Sequence, residues 1–200
     1  MNKGSLRTHF KALLNRSDIT DTLADTFIDQ GITRIQRSLR VPSMEKKHTY
    51  TFSAEASQVT LPSDFLEAID VYYDHTALTR LPMSDMAARK EGNETGIPSY
   101  FAREQGALLL YPHPASGSLT LNYYATFTDM VSDSDESILA QIASDLIIYS
   151  GLTYAADYYL DERSPVFSSK YLEFMNELQE QAHDAETSGS LQSIRPSYTY

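Results

Sequence analysis

ILAQIASDLIIYSGLTYAADYYL, residues 138–160, sets the architecture of this 200-residue chain. Its pattern predicts one helix across the whole stretch. From Leu146 to Leu160 it is apolar almost all round, which marks a helix buried on every side rather than along one stripe. Such a helix needs cover from elsewhere in the chain. Downstream, Ser164-Pro165 is a start signal: a cap, then Pro at the first helical position. The helix that follows carries Phe167, Tyr171, Phe174, Met175 and Leu178 on one face. Its other face has Lys170, Glu173, Glu177 and Glu180, and it fades near Thr187-Ser188-Gly189. One amphipathic helix is too little cover, so the remainder has to come from the N-terminal end.

There, SLRTHFKALLN (Ser5 to Asn15) puts Leu6, Phe10, Leu13 and Leu14 on one side. Ser17 or Asp18 looks like the cap of a second helix, in which Ile19, Leu23, Phe27, Ile28, Ile32, Ile35 and Leu39 recur at spacings of mostly three and four. Gly31 interrupts this helix at a cost of about 1 kcal/mol relative to Ala, so either something packs closely there or the helix bends. Pro42 marks the exit.

Between the helical ends, residues 47–127 alternate with the period of strands. His48, Tyr50 and Phe52 oppose Lys47, Thr49 and Thr51. Val59 and Leu61 share a side until Pro62. Phe65, Ile69, Val71 and Tyr73 are assigned to one face, as are Leu119, Leu121, Tyr123, Ala125 and Phe127. TALTRLP, PSYFARE and GALLLYP supply the other strands. Short turns such as REQGA and PASGS imply antiparallel hairpins. MSDMAARKEGNETGIP reads as a short helix and an exposed loop. The expected fold class is α+β: a helical bundle of three to four helices with an inserted antiparallel β-domain and an extended C-terminal tail. The divisions are residues 1–45 and 129–188 for the bundle, 46–128 for the β-domain and 189–200 for the tail.

The composition limits what the chain can do. An apolar share of 42% is enough for a real core, and the absence of Cys removes disulfides, thiolate zinc sites and cysteine nucleophiles. No apolar run approaches the ~20 residues of a membrane span. MNKGSLRTHFKALLNRSD lacks the apolar region of a signal peptide, so synthesis and residence in a cytoplasm are expected. The net charge of −11 is unevenly placed. Residues 1–128 hold 14 acids against 13 Lys or Arg, whereas residues 129–200 hold 13 acids against Arg163, Lys170 and Arg195. Gripping nucleic acid takes clustered cations. The one basic cluster, Arg34, Arg37, Arg40, Lys46 and Lys47, reads as a solvated helix end rather than a phosphate site.

No motif for catalysis or metal binding stands out. No two of the five histidines lie three to five residues apart, and there is no phosphate-cradling glycine loop or nucleophile elbow. Asp70 and Asp74, flanking the strand end YYDH, are the nearest approach to an acid–base pair and read better as solvated loop acids. Asp129, Asp133, Asp135 and Glu136 resemble a calcium loop but lack its turn glycine and closing bidentate Glu. Asp145 and Asp157 are the only acids set in apolar sequence, and each can cap a helix or face out. The expectation is a protein with no enzymatic activity, cofactor or metal.

The last stretch, SLQSIRPSYTY (190–200), contains no acid, no helical stripe and no turn to fold it back. Its Leu191, Ile194, Arg195, Tyr198 and Tyr200 are the candidate partner-binding residues: apolar anchors and one cation on an extended segment that a partner would order.

The chain resembles the head-to-tail adaptor (connector) proteins of tailed bacteriophages. The resembling stretches are ADTFIDQGITRIQRSLRVPSMEK, LPSDFLEAIDVYYD, IPSYFAREQGALLLYPHPASGSLTLNYYATF, and DLIIYSGLTYAADYYLDE followed by KYLEFMNELQEQ, about residues 18–182. The resemblance rests on their order and spacing and brings no catalytic residues. It implies a structural protein of the virion neck, assembled in the host cytoplasm as a homo-oligomeric ring, usually of twelve subunits. One face of the ring would meet the portal protein and the other the tail or nozzle protein. Genomic DNA would pass through the lumen without sequence-specific binding, and no membrane is involved. The acidic third segment would then repel DNA phosphates as the duplex slides. The family commonly extends its C-terminus toward the portal, which gives the tail its partner. The competing readings are a receptor- or carbohydrate-binding β-module of a tail accessory protein, and a small hydrolase using scattered carboxylates.

Overall fold

The computed structural model of the chain describes residues 1–90 and 94–187. Its contacts divide it into two compact units. One is Met1–Ser43 with the described residues from Phe127 onward, and the other is Met44–Thr126. The molecule is mixed α+β, with six α-helices and two sheets among the described residues.

The first unit contains α1 (Lys3–Leu14), α2 (Asp21–Ser38), α4 (Ile138–Ile142), α5 (Ser144–Tyr159) and α6 (Ser164–Thr187). Asn2 caps α1 by accepting from the Ser5 amide, and the helix ends on Asn15 in the left-handed region. Thr20, not Ser17 or Asp18, caps α2, so Ile19 lies outside the helix but is still buried. α5 is the central element, packed by α1, α2 and α6. Leu146, Ile147, Leu152 and Ala155 of α5 are buried with Phe10, Phe27, Ile28 and Ile35 from the N-terminal helices and Phe167, Tyr171 and Met175 from α6. Gly31 is a close approach. A β-carbon there would stand 2.7 Å from the Gly151 amide nitrogen, and the Ser150 hydroxyl donates to the Gly31 carbonyl at 3.1 Å.

Two expectations about these helices need correction. The stretch 138–160 is not one helix but breaks at Ala143 (φ −147°, ψ 54°). Ser144 and Asp145 follow the break, and Asp145 draws the Leu146 N–H onto its carboxylate, the local competition that makes such residues favour helix starts over interiors. Ser164 is not a cap. It lies within α6, and its hydroxyl donates to Asp157.

A 3-10 turn at Pro42–Met44 spans the boundary, and the second unit contains two four-stranded sheets and α3 (Met83–Lys90). One sheet has the order β1-β8-β3-β4, from β1 (Glu45–Phe52), β8 (Gly117–Ala125), β3 (Phe65–Tyr73) and β4 (Thr76–Ala77). The other has the order β2-β7-β6-β5, from β2 (Gln58–Thr60), β7 (Ala107–Tyr111), β6 (Tyr100–Glu104) and β5 (Thr79–Arg80). Leu119, Leu121 and Tyr123 of the first sheet meet Phe101, Leu108 and Leu110 of the second. The opposite side of the second sheet packs Ala102, Leu109 and Tyr111 on Met86 of α3. β7 is therefore buried on both faces, which explains why its sequence runs apolar without alternating. β1 pairs β8 from Glu45↔Tyr124 to Phe52↔Gly117, so the chain enters and leaves this unit side by side.

The β-unit departs from expectation in two places. β5 pairs with β6 in parallel, so the sheets are not wholly antiparallel. Register shifts in β3 between Phe65 and Glu67, and between Ala68 and Asp70, break its alternation. Phe65 and Ala68 turn to the core while Ile69 is left exposed, because each extra residue on a bulged strand reverses the faces that follow it.

Candidate functional site

Several of the acids singled out in the sequence hold backbone. Asp74 sits at the β3–β4 turn with φ 42°, and its Oδ1 accepts from the amide and hydroxyl of Ser118 at 2.8 and 3.0 Å. The Tyr73 hydroxyl donates to the Ser116 carbonyl beside it. Gly117, at φ 99°, leaves no room for a side chain against these two residues. Asp70 lies exposed next to the bulge. Asp145 and Asp157 are exposed too, the first accepting from the Leu146 amide and the second from the Ser164 hydroxyl.

The calcium-like run anchors the start of α1. Asp135 and Asp133 present their backbone carbonyls to the amides of Lys3 and Gly4, both at 3.0 Å, occupying two donors that a helix N-terminus leaves open. The Asp135 carboxylate takes the amides of Val131 and Ser132. Arg7 forks between Asp25 and Asp133, and its hydrogen bonds hold the Asp133 carboxyl below the usual range. Among the described residues, no group of three or more His, Asp or Glu is placed to hold a metal ion.

The basic residues are similarly occupied. Arg34 donates to Thr153 Oγ1 at 3.0 Å and lies 4.2 Å over the Tyr171 ring. Arg40 donates to the carbonyls of Gln36 and Leu39, and Lys46 pairs with Asp64 at 2.7 Å. Three of the five cations are thus spent on intramolecular contacts.

Two buried ionisable side chains went unmarked in the sequence. Lys3 is 7% exposed. Its Nζ donates to the Met130 carbonyl at 2.9 Å and lies 3.8 Å from Asp29, at the wall of a cleft of about 460 Å³ also lined by Thr33, Gln36 and Val131. Burial raises the Asp29 pKa. The signal was present, since Lys3 is in phase with Leu6, Phe10 and Leu14. His113 is buried with Nδ1 3.4 Å from Glu55, and its backbone bonds to Glu94 and Gly96 pin the loop before β6. Nothing in the sequence around it distinguishes that position.

Leu191, Ile194, Arg195, Tyr198 and Tyr200, the candidate partner-binding residues, lie outside the described residues. The family model for the SU10 adaptor protein matches residues 1–194. The chain belongs to the SU10 adaptor protein family. The match extends beyond residues 18–182 at both ends. It takes in Leu191 and Ile194 and stops before Arg195, Tyr198 and Tyr200. No curated protein matches the chain. As an SU10-type adaptor it is a bacteriophage structural protein and a component of the virion, from a family of structural adaptors rather than enzymes. Among the described residues of this adaptor, no helix is long and apolar enough to cross a membrane.

Proposed function

We propose that this adaptor is the subunit of a ring, of twelve copies in the usual arrangement of such connectors, that joins the portal protein to the tail or nozzle protein in the virion neck. The family match over residues 1–194 carries the reading. In it, helices from both ends of the chain form one bundle, of which α5 is the shared core, and the β-unit is an insertion. The ring surrounds the DNA channel. The exposed acids along α6, Glu173, Glu177 and Glu180 at helical spacing, fit a wall past which a polyanion slides without sticking. The C-terminal segment docks on the portal through Leu191, Ile194, Arg195, Tyr198 and Tyr200. The protein acts without metal or cofactor.

Native mass spectrometry of the purified chain, alone and with the portal protein of its phage, tests this. The expected result is a closed oligomer of defined copy number that binds portal. A chain that stays monomeric in both cases overturns the ring. Deleting residues 189–200 is expected to leave the melting temperature unchanged and weaken portal binding. Unchanged affinity would remove the tail from the interface.

A further inference from the structure

Two exposed arginines between the sheets of the β-unit are bound to no acid. Arg103 on β6 stands opposite buried Leu108, and Arg80 on β5 is in register with buried Phe101, so both face the first sheet. Among the described residues, neither has a hydrogen bond or an ion pair. Acids are not scarce. The chain carries 27 against 16 Lys and Arg, and Arg7, Arg16 and Arg163 are each forked onto an aspartate. Arg103 is held by a ring instead. Its guanidinium carbon lies 5.0 Å from the centroid of Phe65, which stacks in turn on Tyr123. A guanidinium resting on an aromatic face keeps its fork of N–H donors free for a carboxylate.

The same two arginines line a pair of hollows. One, of about 150 Å³, lies between the sheets against Phe65, Ala68, Phe101 and Leu108, with Glu67 the only acid in its wall. The other, of about 350 Å³, is bounded by Leu81, Pro82 and Met83 and has no acid. An apolar space of about 150 Å³ takes one benzene-sized group. The β3 wall of this smaller hollow contains the first register shift of that strand and borders the second, and Phe65 and Ala68 turn to this side. Bulges recur beside binding sites because they re-aim side chains there. The surroundings also select among anions. Two cations set among apolar walls suit a single carboxylate beside an apolar side chain, whereas a nucleic acid takes a row of cations along its phosphates.

We propose that Arg80 and Arg103 bind an acidic segment of a partner protein, its carboxylate between the two guanidiniums and a neighbouring apolar side chain in the smaller hollow. The site lies within the β-unit and does not rest on the ring reading. Saturation-transfer NMR on the full chain tests it, with acetyl-Phe-Glu-amide as probe and acetyl-Phe-Gln-amide as its neutral twin. The expected result is millimolar binding of the first, seen as transfer to the Phe ring, and binding of the second weaker by about tenfold or more. An Arg80→Gln/Arg103→Gln double variant is expected to melt close to the unchanged chain, since neither side chain is hydrogen-bonded to the fold. It is expected to bind the acidic peptide as weakly as the unchanged chain binds the neutral one. Equal binding of the two peptides, or binding that the double variant retains, assigns the hollow to an apolar group alone and overturns the proposal. No transfer from the unchanged chain overturns it as well. A short DNA duplex that displaces the acidic peptide marks a phosphate site, which overturns the protein partner. Each of these failures leaves the ring standing, and a chain that never assembles leaves this site standing.

Discussion

At Gly31 the helices α2 and α5 approach so closely that one methyl group decides the packing. A β-carbon there meets backbone, not a side chain that could swing aside. Gly31→Ala is therefore expected to destabilise the fold by about 1–3 kcal/mol, the usual range for overpacking a filled core, despite the better helix propensity of Ala. Differential scanning calorimetry would show it as a lower melting temperature. A melting temperature at or above the unchanged chain's would mean that the two helices separate easily. The sequence showed that Gly31 needed a reason but not which one, since its partner Gly151 lies 120 positions on and no local pattern names it. Lys3 shows the opposite difficulty. Its phase with Leu6, Phe10 and Leu14 places it inward, but a lysine is normally read as solvated, and the Met130 carbonyl and the Asp29 carboxylate make its burial tolerable.

One ion pair ties the end of α1 to the turn before α6. Asp161 accepts from the Arg163 amide and guanidinium, and these hydrogen bonds hold its pKa at about 2. The same guanidinium satisfies carbonyls at the end of α1. Since the folded-state value lies below the ordinary 3.8, the contribution is complete above the ordinary value and is lost as pH falls through the folded one. The melting temperature is expected to hold steady from neutral pH to about 4.5 and to fall below pH 4. Asp161→Asn should lower it at neutral pH and flatten the acid limb. An unaltered limb in that variant would assign the acid sensitivity to other carboxylates. At this scale the helices and most strands were legible, because buried residues recur at the period of the element that buries them. β3 was not, because its two bulges reverse the faces and Ile69, assigned inward by alternation, points out. The parallel pairing of β5 with β6 was also hidden, since two residues are too few to show a period.

The molecule as a whole is a chain whose two ends share one unit while its middle forms another. In the sequence the helix period gives way to strand period between these units, near Met44 and Thr126. The segment 190–200 stood out in the sequence only by its composition, and it lies outside the described residues. Residues 44–126 have a two-sheet core of their own and are expected to fold alone, giving dispersed amide resonances and a cooperative melt. A collapsed fragment without dispersion would show that this core needs the rest of the chain.

The pairing of Glu45 with Tyr124 has a kinetic consequence. α2 and α5 are joined by a long connection, and bringing them together through a disordered chain would require closing a loop of roughly 100 residues. Once β1 and β8 zip, the connection shortens to residues 39–44 and 125–143, about 25 in all. Loop entropy growing as (3/2)RT ln n then falls by about 1 kcal/mol. The β1–β8 pairing would then act as a clasp that forms before the helices dock. Stopped-flow fluorescence and pulse-labelled hydrogen exchange should find the β1–β8 amides protected before those of α5. Weakening the clasp, for instance with Thr49→Pro, should slow the helical phase more than it speeds unfolding. Helices protected first would reverse that order and leave the long loop to be closed without help.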